Sequence, residues 1–329
     1  MCEAFEIYFQ PGHVLSCRKE KGARNRKSPV ETIVLRGRVD AMGVSCGIVV
    51  DSSASIPQYL AAKYGITVVP VTIQQGTRTY KDGQDLTTDQ FYELLEQDPP
   101  LKTSQPSPGD FITAYKTLKS KVQSIISIHV TAKASGTCQS ASLAKAALPD
   151  MDIEVVDSGT TSMALGFIVI AAACAARLGR TKQEILRAVE DAKKRVQVYV
   201  TLTTLTQLRR SGKIGAGLSL IGSLLSIRPV LTMREGMLEV CDRVRTYPRA
   251  FERVVELVTE AAGESTVKLA VIYSKTREEA QRLADVLQSR LRCSEVLTCD
   301  IGAALAVHGG PGMVGAAIMK EGEGSPAVQ

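Results

Sequence analysis

Two apolar runs of this sequence end in the same way, in a β-branched stretch that stops at an aspartate and a serine. The first, CGIVVDS, begins at Cys46, and the second, IEVVDS, ends at Ser158. A continuous apolar run that leads into a polar loop is typical of a strand buried on both faces, as strands of parallel sheets are. A helix is expected after each such strand, because a parallel connection must return to the other end of the sheet.

The first half of the chain alternates strand and helix patterns. The predicted elements are a strand at 46–50, a β-branched run at 66–73, helices at 88–96 and 108–122, a strand at 124–129, a helix at 137–147 and a strand at 153–156. This alternation predicts an α/β fold with a parallel sheet and helices on both faces.

Beyond residue 160 the pattern changes. It predicts helices at 162–178 and 181–195, a strand at 198–201, a hairpin of 227–233 with 237–244, a helix and strand at 249–262 and 267–273, and another pair at 278–291 and 294–299. A mixed sheet is expected here. The chain is therefore divided into an N-terminal α/β domain at 44–160, a C-terminal α/β domain at 161–320 and a polar tail at 321–329.

The first 43 residues are basic and polar, and they lack the apolar segment of a signal peptide. They are predicted to be a disordered extension or a segment upstream of the true translation start. Met42 lies just before the first strand and is the candidate start. Mass analysis of the native N-terminus tests this, since a mature chain that retains residues 1–41 in full contradicts it.

Composition excludes several classes of protein. About half of the net charge of +6 lies in the first 43 residues, so the remainder lacks the basic footprint of a nucleic-acid-binding protein. The eight cysteines and three histidines show no metal-ligand spacing, which predicts no metal site and fits a reducing cytoplasm. The longest uncharged apolar run, 163–176, is about a third shorter than a membrane span requires. A cytoplasmic protein is expected.

Nucleotide-binding motifs are also missing. The sequence contains no GxxxxGK[ST] motif, which excludes a P-loop. Gly310, Gly312 and Gly315 match GxGxxG, but fewer than about twenty residues follow, too few for the βαβ unit of a dinucleotide site. No cofactor is predicted.

Three hydroxyl-rich segments are expected to meet at the carboxyl edge of the parallel sheet, where ligands of such folds bind. They are 51–53 (DSS), Thr103 with Ser104, and 131–137 (TAKASGT). Hydroxyls and the amides of helix starts supply donors without charge, so the site suits a carboxylate or a phosphate. Ser107, followed by a proline and three residues later by Asp110, is equally well explained as a helix cap.

His308 lies in the glycine-rich segment AVHGGPGMVG. A lone histidine is more often structural than functional, but the glycines around this one allow backbone to approach closely whatever it faces. Two cationic clusters, LRRSGKI at 208–214 and CDRVRTYPR at 241–249, are either solvated faces or a surface that docks a partner and neutralises phosphate.

The combination of motifs resembles one family. VVDSSASIP, KTSQPSPGDF, KASGTCQSA, VVDSGTTSMALG, TLTTLTQLRRSGKIG, LLSIRPVL, CDRVRT and VHGGPGMVG occur in the order seen in DegV family proteins, the fatty-acid-binding subunits on which bacterial fatty acid kinases act. The resemblance covers about residues 44–320. It implies a two-domain fold, with a parallel Rossmann-like sheet in the first domain and an apolar tunnel for the acyl chain.

The resemblance assigns roles to single residues. Thr103, Ser135 and His308 match positions that hydrogen-bond the ligand carboxylate, and Gly136 offers its amide there. Secondary ligand contacts are expected from Ser104, Asp51 and Ser52. Phosphotransfer or kinase docking is implied for two cations, Lys213 and Arg245. The family typically has arginine where this chain has Lys213, and lysine lacks the bidentate fork of a guanidinium.

The implied function is to take a long-chain fatty acid from a membrane or the medium and to present its carboxylate to a separate ATP-dependent kinase, which makes an acyl phosphate. Transient contact with a membrane surface follows from this role. The helices at 163–176 and 218–227 are candidates for lining the tunnel or for ordinary core. Two alternatives are a serine hydrolase, with Ser135 as nucleophile, His308 as base and an aspartate such as Asp51 orienting it, and a phosphocarrier that uses His308.

Overall fold

The computed structural model describes residues 46–322 except 99, 204 and 212–226. The predicted extension at 1–43, the Met42 start and the tail from residue 323 onward lie outside the described residues.

The strands, in chain order, are β1 Cys46–Asp51, β2 Ile66–Val69, β3 Thr72–Gln75, β4 Arg78–Lys81, β5 Lys102–Ser104, β6 Ser124–His129, β7 Asp152–Asp157, β8 Val196–Thr201, β9 Arg228–Arg234, β10 Met237–Val244, β11 Val267–Tyr273, β12 Cys293–Asp300 and β13 Val314–Lys320.

Ten helices are described between and after these strands. They are α1 Gln58–Tyr64, α2 Thr88–Leu95, α3 Pro108–Leu118, α4 Thr137–Ala146, α5 Ser162–Arg177, α6 Lys182–Arg195, α7 Thr206–Arg210, α8 Tyr247–Ala262, α9 Arg277–Arg290 and α10 Ala303–Gly309. Within the described ranges, no helix has both the length and the hydropathy needed to cross a membrane.

The first half contains a four-stranded parallel sheet in the order β2–β1–β6–β7. Every residue of β1 and of β6 is buried, as expected for central strands covered by helices on both faces. The predicted α/β fold with a parallel sheet is confirmed.

The second half contains a six-stranded mixed sheet in the order β10–β9–β8–β13–β11–β12. Only β11 and β12 pair in parallel. The predicted hairpin forms as β9 and β10, which turn at Glu235 and Gly236. Both of these residues have positive φ, and the turn depends on a glycine at its second position. The prediction of a mixed sheet is confirmed.

A small antiparallel sheet, in the order β4–β3–β5, was not predicted. The β-branched run at 66–73 forms two strands of different sheets, because Pro70 interrupts it and cannot donate to a strand ladder. Thr103 and Ser104 lie in the edge strand β5 and not in a loop, with Thr103 opposite Ile73. A strand therefore holds the hydroxyls of this segment in a fixed register.

Helix α5 lies in the apolar core and contacts strands of both larger sheets, among them β1 of the first and β8 and β13 of the second. Twelve of its sixteen residues are buried, including Leu165, Phe167 and Ile168. Each large apolar side chain buried in this way stabilises the fold by about 1.5–3 kcal/mol. One apolar core contains residues from both sides of residue 160. The division into two domains at that position stays a prediction.

Candidate functional site

A cavity of about 280 Å³ lies where the hydroxyl-rich segments of the first half meet the last helix and the hairpin of the second half. Its wall contains Thr103, Ser104, Ser135 and His308, which the sequence analysis had selected from three distant segments. The remaining lining residues are Ser53, Val71, Gln105, Val130, Thr131, Lys133, Ala134, Thr161, Leu208, Met233, Met237, Leu238, Ala304 and Leu305. The cavity thus joins a polar group of hydroxyls to an apolar wall.

Thr103 and His308 are in direct contact at this site. Their Oγ1 and Nε2 atoms lie 2.9 Å apart, and both residues are half-buried. Thr103 is fixed by the pairing of β5 with β3, and His308 lies in the last turn of α10. Gly310, with φ of 71°, ends that helix in a conformation that favours glycine. Rigid elements therefore hold both polar groups.

The second polar group is the segment that follows β6. The Oγ of Ser135 lies 2.8 Å from the Oγ1 of Thr137, the first residue of α4. The cap residue of α4 is Gly136, which supplies no capping side chain. A Cβ at Gly136 would lie 2.9 Å from the side-chain nitrogen of Gln105, so a larger residue here would displace the end of that side chain. The helix start carries partial positive charge, which suits an anion beside Ser135.

Asp51 is fully buried and has internal partners, and it does not line the cavity. Its carboxylate accepts hydrogen bonds from the amides of Ser53 (3.0 Å) and Val130 (3.0 Å), and it pairs with Nδ1 of His129 at 3.1 Å. Burial is the largest single effect and raises the pKa of Asp51, but the interactions with His129 and the amides of Val130 and Ser53 together outweigh it and hold that pKa below its ordinary value. Asp51 therefore ties the segment after β1 to the segment after β6.

No role was predicted for His129, although a histidine at the end of a buried apolar strand was an available signal. Its Nε2 lies 2.7 Å from the Oγ of Ser127, which accepts a hydrogen bond from Tyr115 at 2.9 Å. The hydrolase alternative offered Asp51 as an example of an aspartate that could orient His308, but the structure pairs Asp51 with His129 instead. Asp51 is therefore not the orienting carboxylate.

Ser52 and Ser107 also have structural partners. The Oγ of Ser52 accepts from the amide of Val71 at 3.1 Å and lies outside the cavity wall, whereas the neighbouring Ser53 lines it. Ser107 forms a reciprocal cap with Asp110 at the start of α3, with distances of 3.2 and 2.8 Å. The helix-cap interpretation accounts for Ser107.

The hairpin of β9 and β10 supplies much of the apolar wall, through Met233, Met237 and Leu238. Its turn is attached to the segment after β6, since Thr131 donates a hydrogen bond to the carbonyl of Gly236 at 2.9 Å. Of the two segments suggested as tunnel lining, 163–176 lies in the core and contributes nothing to this wall, and 218–227 lies outside the described residues except for its last residue.

Arg245 follows β10 and is exposed, away from the cavity wall. Lys213 lies outside the described residues. In the part of the chain that the structure describes, no group of three or more histidine, cysteine or acidic side chains is arranged to hold a metal ion.

Comparison with known proteins identifies relatives of nearly the whole described region. The DegV family model, described as "Uncharacterised protein, DegV family", matches residues 45–321. A DegV domain-containing protein of Streptomyces coelicolor is 35% identical over 273 residues, which are 82% of this chain and 97% of the relative.

Two solved structures share the fold. A DegV family protein from Thermus thermophilus, described by its fatty acid binding, is 30% identical with a TM-score of 0.79, and the match covers 84% of this chain and 100% of that one. DegV of Bacillus subtilis, described as a fatty acid binding protein, is 28% identical with a TM-score of 0.78, and the match covers 84% and 99% of the two chains.

Proposed function

Since this chain belongs to the DegV family, we propose that it binds a long-chain fatty acid, buries the acyl chain and presents the carboxylate to a separate ATP-dependent kinase. The observation that carries the proposal is the cavity in which Thr103, Ser135 and His308 face the same space as the apolar hairpin side chains. Related proteins of known structure that are described as binding fatty acids support it.

The carboxylate is held by neutral donors. A threonine hydroxyl has a single proton, so if Thr103 donates it to the ligand, its oxygen must accept from the Nε2–H of His308. Ser135 and the amide of Gly136 complete the set from the other side. A hydrogen bond to a charged group is worth about 1.5–3 kcal/mol, enough to orient a carboxylate without an ion pair that would hold it too tightly to release.

The acyl chain supplies most of the binding free energy. Burial of one methylene contributes about 0.8 kcal/mol, so a chain of ten buried methylenes contributes about 8 kcal/mol before ordering costs are subtracted. The thioethers of Met233 and Met237 are flexible and can adapt to chains of different shape. The hairpin therefore contacts the tail in this proposal.

In the proposed transfer, a carboxylate oxygen attacks the terminal phosphorus of ATP on the kinase. A new P–O bond forms, the bond to the leaving ADP breaks, and an acyl phosphate results. Lys213 and Arg245 are proposed to contact the kinase or the phosphates. The resemblance to kinase-coupled family members is the support for this step, which requires no nucleotide motif in this chain.

The proposal is tested by titrating purified, delipidated protein with a sixteen-carbon fatty acid and with the alcohol of the same length. We expect the acid to bind about tenfold more tightly or better, because only the acid places a charge at the donors. Failure of both to bind contradicts the proposal. The kinase step is tested separately, by trapping acyl phosphate as a hydroxamate with ATP and a kinase encoded by the same genome.

A further inference from the structure

The helix that carries His308 does not cap its own start. Helix α10 begins after Gly302, which has a φ of 77° and supplies no capping side chain. The carboxylate of Asp82 occupies that position instead, accepting a hydrogen bond from the amide of Ala304 at 3.2 Å. A side chain from the first half of the chain thus caps a helix more than two hundred residues later.

Asp82 is itself held firmly. Its amide donates to the carbonyl of Val71 at 2.9 Å, directly after the end of β4. The residue is 6% exposed. Burial, with a smaller contribution from the charge of Asp300, raises the pKa of Asp82.

The same turn has a second connection to the first half. The hydroxyl of Ser55 donates to the carbonyl of Ile301 at 2.9 Å. Helix α10 is only seven residues long, about 10 Å, so a displacement of its start is transmitted to its last turn. Asp82 and Thr103, both from the small antiparallel sheet and its margin, therefore contact opposite ends of α10.

We propose that Asp82 is a positioning residue for His308, which sets the imidazole against Thr103 by capping the helix that carries it. This inference rests on the proposed function, in which His308 supports the donor to the ligand carboxylate. It assigns Asp82 no contact with the ligand.

The experiment is a double-mutant cycle in the full chain, with Asp82→Ala, His308→Ala and the double variant, each titrated with the sixteen-carbon acid and alcohol. Loss of a helix cap is expected to lower the affinity for the acid about fivefold and to leave the affinity for the alcohol unchanged. In the His308→Ala background, Asp82→Ala is expected to have no further effect on the acid, since the two residues act together.

Two further variants serve as controls for the effect of Asp82→Ala, one as a partial rescue and one as a matched substitution nearby. Asp82→Asn retains one acceptor and should recover part of the acid affinity. Asp85→Ala removes a carboxylate from the same turn, where it accepts from the amide of Lys81, and should match the wild type. Additive effects of Asp82→Ala and His308→Ala, or equal losses for acid and alcohol, would overturn the inference. If wild-type protein binds no acid, the proposed function fails, and this inference fails with it.

Discussion

The hydroxyl of Thr103 lies 2.9 Å from Nε2 of His308, although 205 residues separate the two in the chain. One belongs to an edge strand and the other to the last turn of a helix, and both line the same cavity. The contact therefore depends on the packing of the two halves of the chain. In the sequence, each of the two residues alone was only weak evidence for a ligand-binding site.

Replacement of Thr103 by valine keeps the shape of the side chain and removes the hydroxyl. We expect the affinity for a long-chain fatty acid to fall about tenfold or more, because a hydrogen bond to a charged group is lost, while the affinity for the alcohol changes little. Calorimetric titration measures both. Thr113→Val is the matched control, since Thr113 is an exposed helix residue that donates to the carbonyl of Gly109.

Ser135→Ala is expected to weaken acid binding and acyl-phosphate formation more than it weakens alcohol binding, since Ser135 is placed at the carboxylate end. Ser142→Ala is the control, because Ser142 donates to a carbonyl of the same helix on its exposed face. Both variants are compared by titration and by hydroxamate trapping. Equal losses of acid and alcohol binding in Ser135→Ala would mean that the carboxylate end has been misassigned.

Leu238→Trp tests the placement of the acyl chain. The larger side chain occupies space in the cavity, so the affinity for a sixteen-carbon acid should fall about tenfold or more, with a smaller effect on an eight-carbon acid. Leu143→Trp adds the same bulk at a position that is 56% exposed, and binding should be unchanged. An unchanged affinity in Leu238→Trp would place the chain elsewhere.

Much of the fold could be predicted because buried parallel strands have a strong local pattern. The strands β1, β6 and β11 are rich in apolar residues, many of them β-branched, and they were predicted to within a residue. The short edge strands β4 and β5 were missed because polar segments of three or four residues have no periodicity to detect.

The strand β13 was missed for a different reason. It is central in the mixed sheet but contains glycine and alanine where β-branched residues are usual. Gly315 is needed there because a Cβ would collide with the backbone of Tyr199 on the neighbouring strand. Such a requirement arises from strand packing and has no local signature.

The candidate site was predictable only in part, because some of its features are visible in the sequence and others arise from tertiary packing. Hydroxyls at strand ends, and a histidine among glycines, mark Thr103, Ser135 and His308 as candidates in the sequence. The internal roles of Asp51 and Ser52, and the apolar wall from the hairpin, depend on tertiary contacts. Sequence pattern identifies chemical groups, and packing decides which of them face the cavity.

Acid should destabilise the protein in part through Asp51. Its pKa in the folded state lies below its ordinary value, so its contribution to stability is present above about pH 4 and is lost as the pH falls through the folded-state pKa. At neutral pH, Asp51→Asn should lower the free energy of unfolding by about 1.5–3 kcal/mol, since it removes the charge of a buried carboxylate that accepts hydrogen bonds.

Urea unfolding of the wild type and of Asp51→Asn between pH 7 and pH 3 measures this effect. The difference in unfolding free energy between the two proteins should shrink as the pH falls below about 4. Glu252→Gln, which alters an exposed ion pair, serves as the control and should change stability by less than about 1 kcal/mol. A difference between wild type and Asp51→Asn that does not depend on pH would contradict the assignment.

The most direct test of the account is native mass spectrometry, with lipid extraction, of the protein purified from a bacterial host without added ligand. The account predicts one long-chain fatty acid bound to each chain, with recovery reduced in His308→Ala. If no fatty acid is recovered, and added fatty acid gives no protection against thermal unfolding, the protein does not have the proposed function.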